Sequence, residues 1–263
     1  MVLTTFITAY FLLQKMVKSI IRFIYFLLIL VCFRQNMMAQ NTDKPKEKDV
    51  TARISATADI GITKKLGVSL SQQVRLNQQL GNLNSYLTEA SVGYNFLKWL
   101  SASANYRFTH RLEPETNDKH RVYVIVGTEY QIDPIKIELG ARLRVEKEWT
   151  VDEPGVEDDL RPRLSAAYKN KKFPIEPSVS AELFYTKTPE ETKFVFARYR
   201  LRAALDYPIT KKHIITGSYA YQSEEKKKSI DVIHIIGIAY TYKLNLYKKD
   251  KKNKSKTPID SPS

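Results

Sequence analysis

Between residues 50 and 62 every even-numbered position is apolar (Val50, Ala52, Ile54, Ala56, Ala58, Ile60, Ile62). The odd positions between them hold Thr51, Arg53, Ser55, Thr57, Asp59 and Gly61. A period of two sends alternate side chains to opposite faces of an extended chain, so this segment is greasy on one side and wettable on the other. The pattern recurs as far as residue 246, and eleven strand-like segments can be read. Segment 135–145 sets Ile137, Leu139, Ala141, Leu143 and Val145 against Glu138, Arg142 and Arg144; segment 195–207 sets Val195, Ala197, Tyr199, Leu201, Ala203 and Leu205 against Arg198, Arg200, Arg202 and Asp206.

Residues 1–40 stand apart. Lys15, Lys18 and Arg22 precede an apolar run over 23–33, and Met38-Ala39-Gln40 offers a small-residue cleavage region. That is the layout of a helical secretory signal peptide, with Met16 as a second possible start. The run is shorter than the roughly 20 residues a spanning helix needs. The only cysteine, Cys32, lies in this leader, so the exported part has no thiol chemistry. A polar spacer follows at 41–49, then the strand-forming region at 50–247. The lysine-rich stretch 248–263 has the composition of a solvated, disordered tail.

The formal charge of +14 is concentrated in leader and tail; the strand region is only mildly basic, with both signs interspersed. No nucleic-acid partner is expected from such a distribution. Four scattered histidines without cysteine partners give no metal-ligand spacing, so no cofactor is expected either. Asp152, Glu153, Glu157, Asp158 and Asp159 are interrupted by Pro154-Gly155 and read as a solvated loop rather than a calcium loop.

Connections alternate in length: short near 63–67, 97–99, 133–134, 169–174 and 208–212, longer near 78–85, 113–120, 146–159, 186–193 and 223–229. Short periplasmic turns, long outer loops and aromatics near both strand ends belong to outer-membrane barrels. The expected fold is all-β: a transmembrane antiparallel up-and-down β-barrel. Because bacterial single-chain barrels have even strand numbers, about twelve strands are expected, with ten as the fallback; the twelfth would come from 41–49 or from a split long loop.

Several motifs, weak singly, occur in a telling order: Ile62-Thr63-Lys64-Lys65-Leu66, Tyr94-Asn95-Phe96-Leu97-Lys98-Trp99-Leu100, Tyr106-Arg107-Phe108, Arg198-Tyr199-Arg200-Leu201-Arg202 and the segment from Gly237 to Leu244. Over about residues 50–246 the chain resembles an outer-membrane barrel family catalogued as domain of unknown function 2490. The resemblance implies an outer-membrane location and supplies no catalytic residues. Gly237, Tyr240 and Tyr242 also resemble the last-strand signal read by the barrel-assembly machinery.

On the wettable parity, Arg107, Glu129, Glu138, Arg142, Arg144, Arg161, Arg163, Glu182, Arg198, Arg200 and Arg202 would line an enclosed lumen, together with Arg53, Arg75 and Asp206. Charges there mark a water-filled passage or a neutralised network that fills the bore. The expected protein is a monomer in outer-membrane lipid, inserted by the barrel-assembly machinery, either structural or a narrow pore in which the arginine excess favours small anions. Two alternatives exist. A lipid hydrolase would pair His110 with a nearby serine, although no G-x-S-x-G occurs; a soluble lipid-binding barrel would place the apolar residues inside. A folded membrane barrel is expected to migrate differently on a gel before and after boiling, and identical mobility in both lanes would count against the membrane reading.

Overall fold

A computed structural model of the chain describes residues 46–77, 79–112, 117–170, 173–225 and 229–247; the leader and the lysine-rich tail lie outside these. The described residues form eleven strands: β1 (Lys46–Gly61), β2 (Leu66–Asn77), β3 (Asn82–Asn95), β4 (Leu100–Arg111), β5 (Lys119–Ile132), β6 (Ile137–Thr150), β7 (Glu157–Tyr168), β8 (Glu176–Lys187), β9 (Val195–Pro208), β10 (His213–Glu225) and β11 (Ile230–Asn245). Each strand pairs with its chain neighbour, and β1 closes the barrel on β11.

The count falls between the expected twelve and the fallback ten, and the closure shows how. In a meander, direction alternates from strand to strand, so the first and last of an odd set run the same way. Here β1 and β11 pair in parallel over their full length, from Lys46 opposite Ile230 to Gly61 opposite Asn245. Residues 46–49, read as spacer, extend β1 instead of forming a twelfth strand. The longer connections likewise feed their residues into ladders: β6 continues to Thr150 and β7 starts at Glu157, leaving only 151–156 between them. At the opposite end Pro134 draws Ile135 into a 3-10 turn, Asp133–Ile135, closed by Lys136 at φ 57°, so β6 begins two residues later than the alternation suggested.

Polarity is inverted relative to a soluble protein. Val124 and Leu164 are 51% and 67% exposed, whereas Arg144, Glu146 and Arg161 are only 5%, 2% and 6% exposed. This arrangement rules out the soluble reading, which needed an apolar interior. The outward face carries an aromatic ring at each end. Near the longer connections His120 stacks on Trp149 with 5.5 Å between ring centroids and packs beside Phe108. Near the short turns Tyr94 meets Phe96 edge-on, and Tyr130 is exposed. His120 and Tyr130 lie on one face of β5. At about 3.3 Å per residue and a tilt of about 40°, their separation along the axis is roughly 25 Å, the height of the apolar band of an outer-membrane barrel.

The ladder is irregular at one place that bears on the bore. Pro162 has no backbone N–H to donate, and the β7–β8 register skips from Leu160 opposite Tyr185 to Arg163 opposite Glu182. The β8–β9 register shifts between Phe184 and Tyr185. Phe184 thus sits between two interruptions, on the inward parity, and is fully buried. An outward charge at mid-belt tests the polarity: Val124→Arg should lose about 2–4 kcal/mol in reversible unfolding from vesicles, and a loss no larger than that of a surface-loop substitution would contradict lipid contact there.

Candidate functional site

The bore has two unlike halves. Toward the short turns its wall over β1–β4 is built from small residues: Thr57 and Asp59 on β1, Ser69 and Ser71 on β2, Ser91 and Gly93 on β3, Ser101 and Ser103 on β4. These leave a cavity of about 460 Å³ whose lining includes Asp59, Ser69, Ser91, Gly93, Ser103 and Lys243. Each short turn also carries a lysine: Lys64 and Lys65, Lys98, Lys136, Lys169, and Lys211 with Lys212. Lys169, half-buried beyond the end of β7, is opposed by burial, yet its 2.6 Å hydrogen bond to Glu176 Oε2 holds the ammonium above its ordinary range. The mouth of this vestibule is therefore cationic.

Toward the longer connections large side chains fill the bore. Glu146 on β6 is the hub, almost fully buried and paired with Arg121 (3.2 Å), Arg161 (3.3 Å) and Arg144. Glu182 on β8 is a second hub, accepting from Arg142 Nη2 at 2.9 Å and from Arg161 Nη2 at 3.3 Å, with Arg200 at 3.7 Å. Glu89 pairs with Arg107, and Arg198 reaches Glu224 at 3.4 Å and Asp159 at 3.9 Å. Two aromatic rings anchor this lattice. The guanidinium of Arg144 lies 3.5 Å from the centre of the Tyr123 ring, and those of Arg161, Arg198 and Arg200 lie 4.1, 4.6 and 4.9 Å from that of Phe184. Guanidinium planes on ring faces gain cation–π attraction that grows as water is excluded.

Of the charged residues assigned to the lumen, Arg107, Arg142, Arg144, Arg161, Glu182, Arg198 and Arg200 belong to this lattice. Arg163 faces Glu182 across β7–β8, and Arg202 lies one inward position nearer the short turns than Arg200. Glu129 and Glu138 sit on the inward parity nearer the vestibule, opposite Gly140 and Ala167. Residues not foreseen are equally central: Glu89, Arg121, Tyr123, Glu146, Asp159 and Phe184. Asp159 was placed in a solvated loop; it is instead a β7 residue, 3% exposed, opposite Glu146. Extending the alternation one residue past 145 reaches Glu146, and extending the next segment one residue before 160 reaches Asp159.

The outward residues bear on the other readings. Gly237 faces inward beside Arg53, while Tyr240 and Tyr242 face outward near the short turns, where Tyr240 hydrogen-bonds His213 at 2.6 Å. His110 lies on the outer rim of β4, its Nδ1 2.8 Å from Asp118 Oδ1. Among the described residues its outward neighbours include Tyr86 across β3 and Phe108 and Leu112 along its own chain.

Fold and bore together define a transmembrane β-barrel, apolar outside and filled by charge within. Residues 54–232 match the family model described as "Protein of unknown function (DUF2490)", and the chain belongs to that family. No curated protein matches the chain in sequence. Among solved structures it is similar to the outer-membrane-expressed OmpT of Vibrio cholerae, at 13% identity and a TM-score of 0.37, over 60% of this chain and 54% of that one. It is also similar to the β domain of the Bordetella autotransporter BrkA, at 13% identity and a TM-score of 0.38, over 64% and 78% of the two chains. These likenesses concern the barrel fold alone, and the chain spans about half the length of OmpT.

The hub position makes a direct prediction. Glu146→Gln leaves Arg121, Arg144 and Arg161 facing one another without their shared counter-charge. Denaturant unfolding should show a loss of about 3–5 kcal/mol, whereas an exposed control, Glu190→Gln, should change little.

Proposed function

We propose that this protein is a monomeric outer-membrane barrel closed at its longer-connection end by its own side chains and open at its short-turn end. It is a barrel with a periplasm-facing cationic vestibule rather than a free diffusion pore. The observation that carries this reading is the lattice around Glu146, Glu182, Tyr123 and Phe184, which draws inward side chains from β3 through β10 into mutual contact. Buried guanidinium–carboxylate contacts of this kind are expensive to break one at a time. Outer-membrane lipid would contact the apolar belt, and the barrel-assembly machinery would read the end of β11 at Gly237, Tyr240 and Tyr242.

Planar-bilayer recording separates this from an open pore. The wild-type chain should give no sustained conductance steps. Phe184→Ala with Arg161→Ala removes the central ring and a guanidinium stacked on it, and should produce steps selective for anions because Arg121, Arg142, Arg144, Arg198 and Arg200 remain around the gap against Glu146, Asp159 and Glu182. Wild-type channels as large as those of the double variant would overturn the closed-bore reading.

A further inference from the structure

Four arginine pairs face each other directly across adjacent strands inside the bore: Arg53 with Arg75, Arg107 with Arg121, Arg142 with Arg163, and Arg144 with Arg161. Like charges directly opposite are destabilising, the more so away from bulk water, so each pair needs a counter-charge. Three pairs have one. Glu146 bridges Arg144 and Arg161, Glu89 and Glu146 serve Arg107 and Arg121, and Glu182 binds Arg142 and lies opposite Arg163.

Arg53 and Arg75 are different. Among the described residues no carboxylate lies within ion-pair distance of either, and the one side-chain hydrogen bond of the pair runs from Arg75 Nε to the neutral Gln73 Oε1 at 2.9 Å. The charges acting most strongly on Arg53 are Arg107, Arg161, Arg198 and Arg202; those on Arg75 are Arg53, Arg107, Arg121 and Arg200. All are cations. Both side chains are half-buried, as are most of the lattice arginines. Beside Arg53 on β11 stands Gly237, where the Ser218 hydroxyl occupies the place a side chain would take. The inward residues between this pair and the cavity lining at Asp59 and Ser69 are Ser55, Thr57, Ser71 and Gln73, all neutral.

From this we propose that Arg53 and Arg75 form a binding site for a small water-borne oxyanion of the phosphate class, which enters through the short-turn vestibule and supplies the counter-charge that this pair alone lacks. Two guanidinium groups offer paired N–H donors in the fork geometry that suits phosphate or carboxylate oxygens. The lysines at the mouth raise the local anion concentration on the way in. The site deepens the reading of a bore open at one end only, but the two fail separately: wild-type conductance would remove the closed bore and leave anion binding standing.

The test uses the full folded chain in a phosphorus-free, phospholipid-free detergent, with inorganic phosphate as the probe and chloride as the ionic-strength control. Phosphate should raise the unfolding temperature of the wild type and bind saturably by calorimetry. Arg53→Gln or Arg75→Gln should weaken binding about tenfold each, as expected for loss of one charge-assisted contact worth about 1.4 kcal/mol. Without phosphate, the double variant Arg53→Gln/Arg75→Gln should be at least as stable as the wild type, because a repulsion has been relieved. Arg144→Gln, taken from a carboxylate-bridged pair, should be destabilised under the same conditions. Phosphate binding unchanged in the double variant would overturn the site, as would a double variant destabilised as much as Arg144→Gln. A phosphate effect seen only when phospholipid is added would assign the contact to a lipid headgroup and overturn the water-borne route.

Discussion

A sheet immersed in hydrocarbon has no solvent to bond an exposed edge, so every backbone N–H and C=O must find its partner within the fold. In this chain that requirement falls on a single seam, β1 against β11, paired in parallel from end to end. Parallel ladders are slightly weaker per residue than antiparallel ones, and the length of the seam offsets this. Closure in turn makes the interior: once the apolar faces look outward, most of the arginines and carboxylates of eleven strands are confined to one narrow bore. The lattice around Glu146 and Glu182 follows from that confinement.

Confinement also explains why the bore is not uniform. Where inward positions are Ser, Gly, Ala or Thr the wall stays thin and a cavity remains; where they are Arg, Glu, Tyr or Phe it fills. Charge alone does not fill space efficiently, and Phe184 supplies the missing volume, with three guanidinium groups stacked on its ring. It reaches this position because Pro162 interrupts the ladder on one side and a register shift interrupts it on the other.

The faces of the strands were legible from residue 50 onward because alternation is a local property of extended backbone, visible without any partner strand. So was the membership of most lumen arginines. Strand ends were legible only at the short turns, where Asp133-Pro134 and the lysine pairs punctuate the chain. At the other end nothing in the residues says where pairing stops, since hydrogen bonding continues past the membrane belt. Glu146 and Asp159 were lost to that ambiguity, and with them the hub of the lattice. The odd strand number was likewise hidden: the eleven segments could be counted, but whether the first and last meet depends on contacts nearly two hundred residues apart. Phe184 left one local trace, a large aromatic on an otherwise polar parity between Leu183 and Tyr185.

The parallel seam has a topological corollary. In an even-stranded meander the two ends of the barrel meet at one rim, and a short linker can join them to make a cyclic permutant. Here Lys46 stands at the rim of the longer connections and Asn245 at the opposite rim. A linker of a few residues cannot bridge them without spanning the bilayer, and reporters fused at the two ends of the barrel would face different compartments.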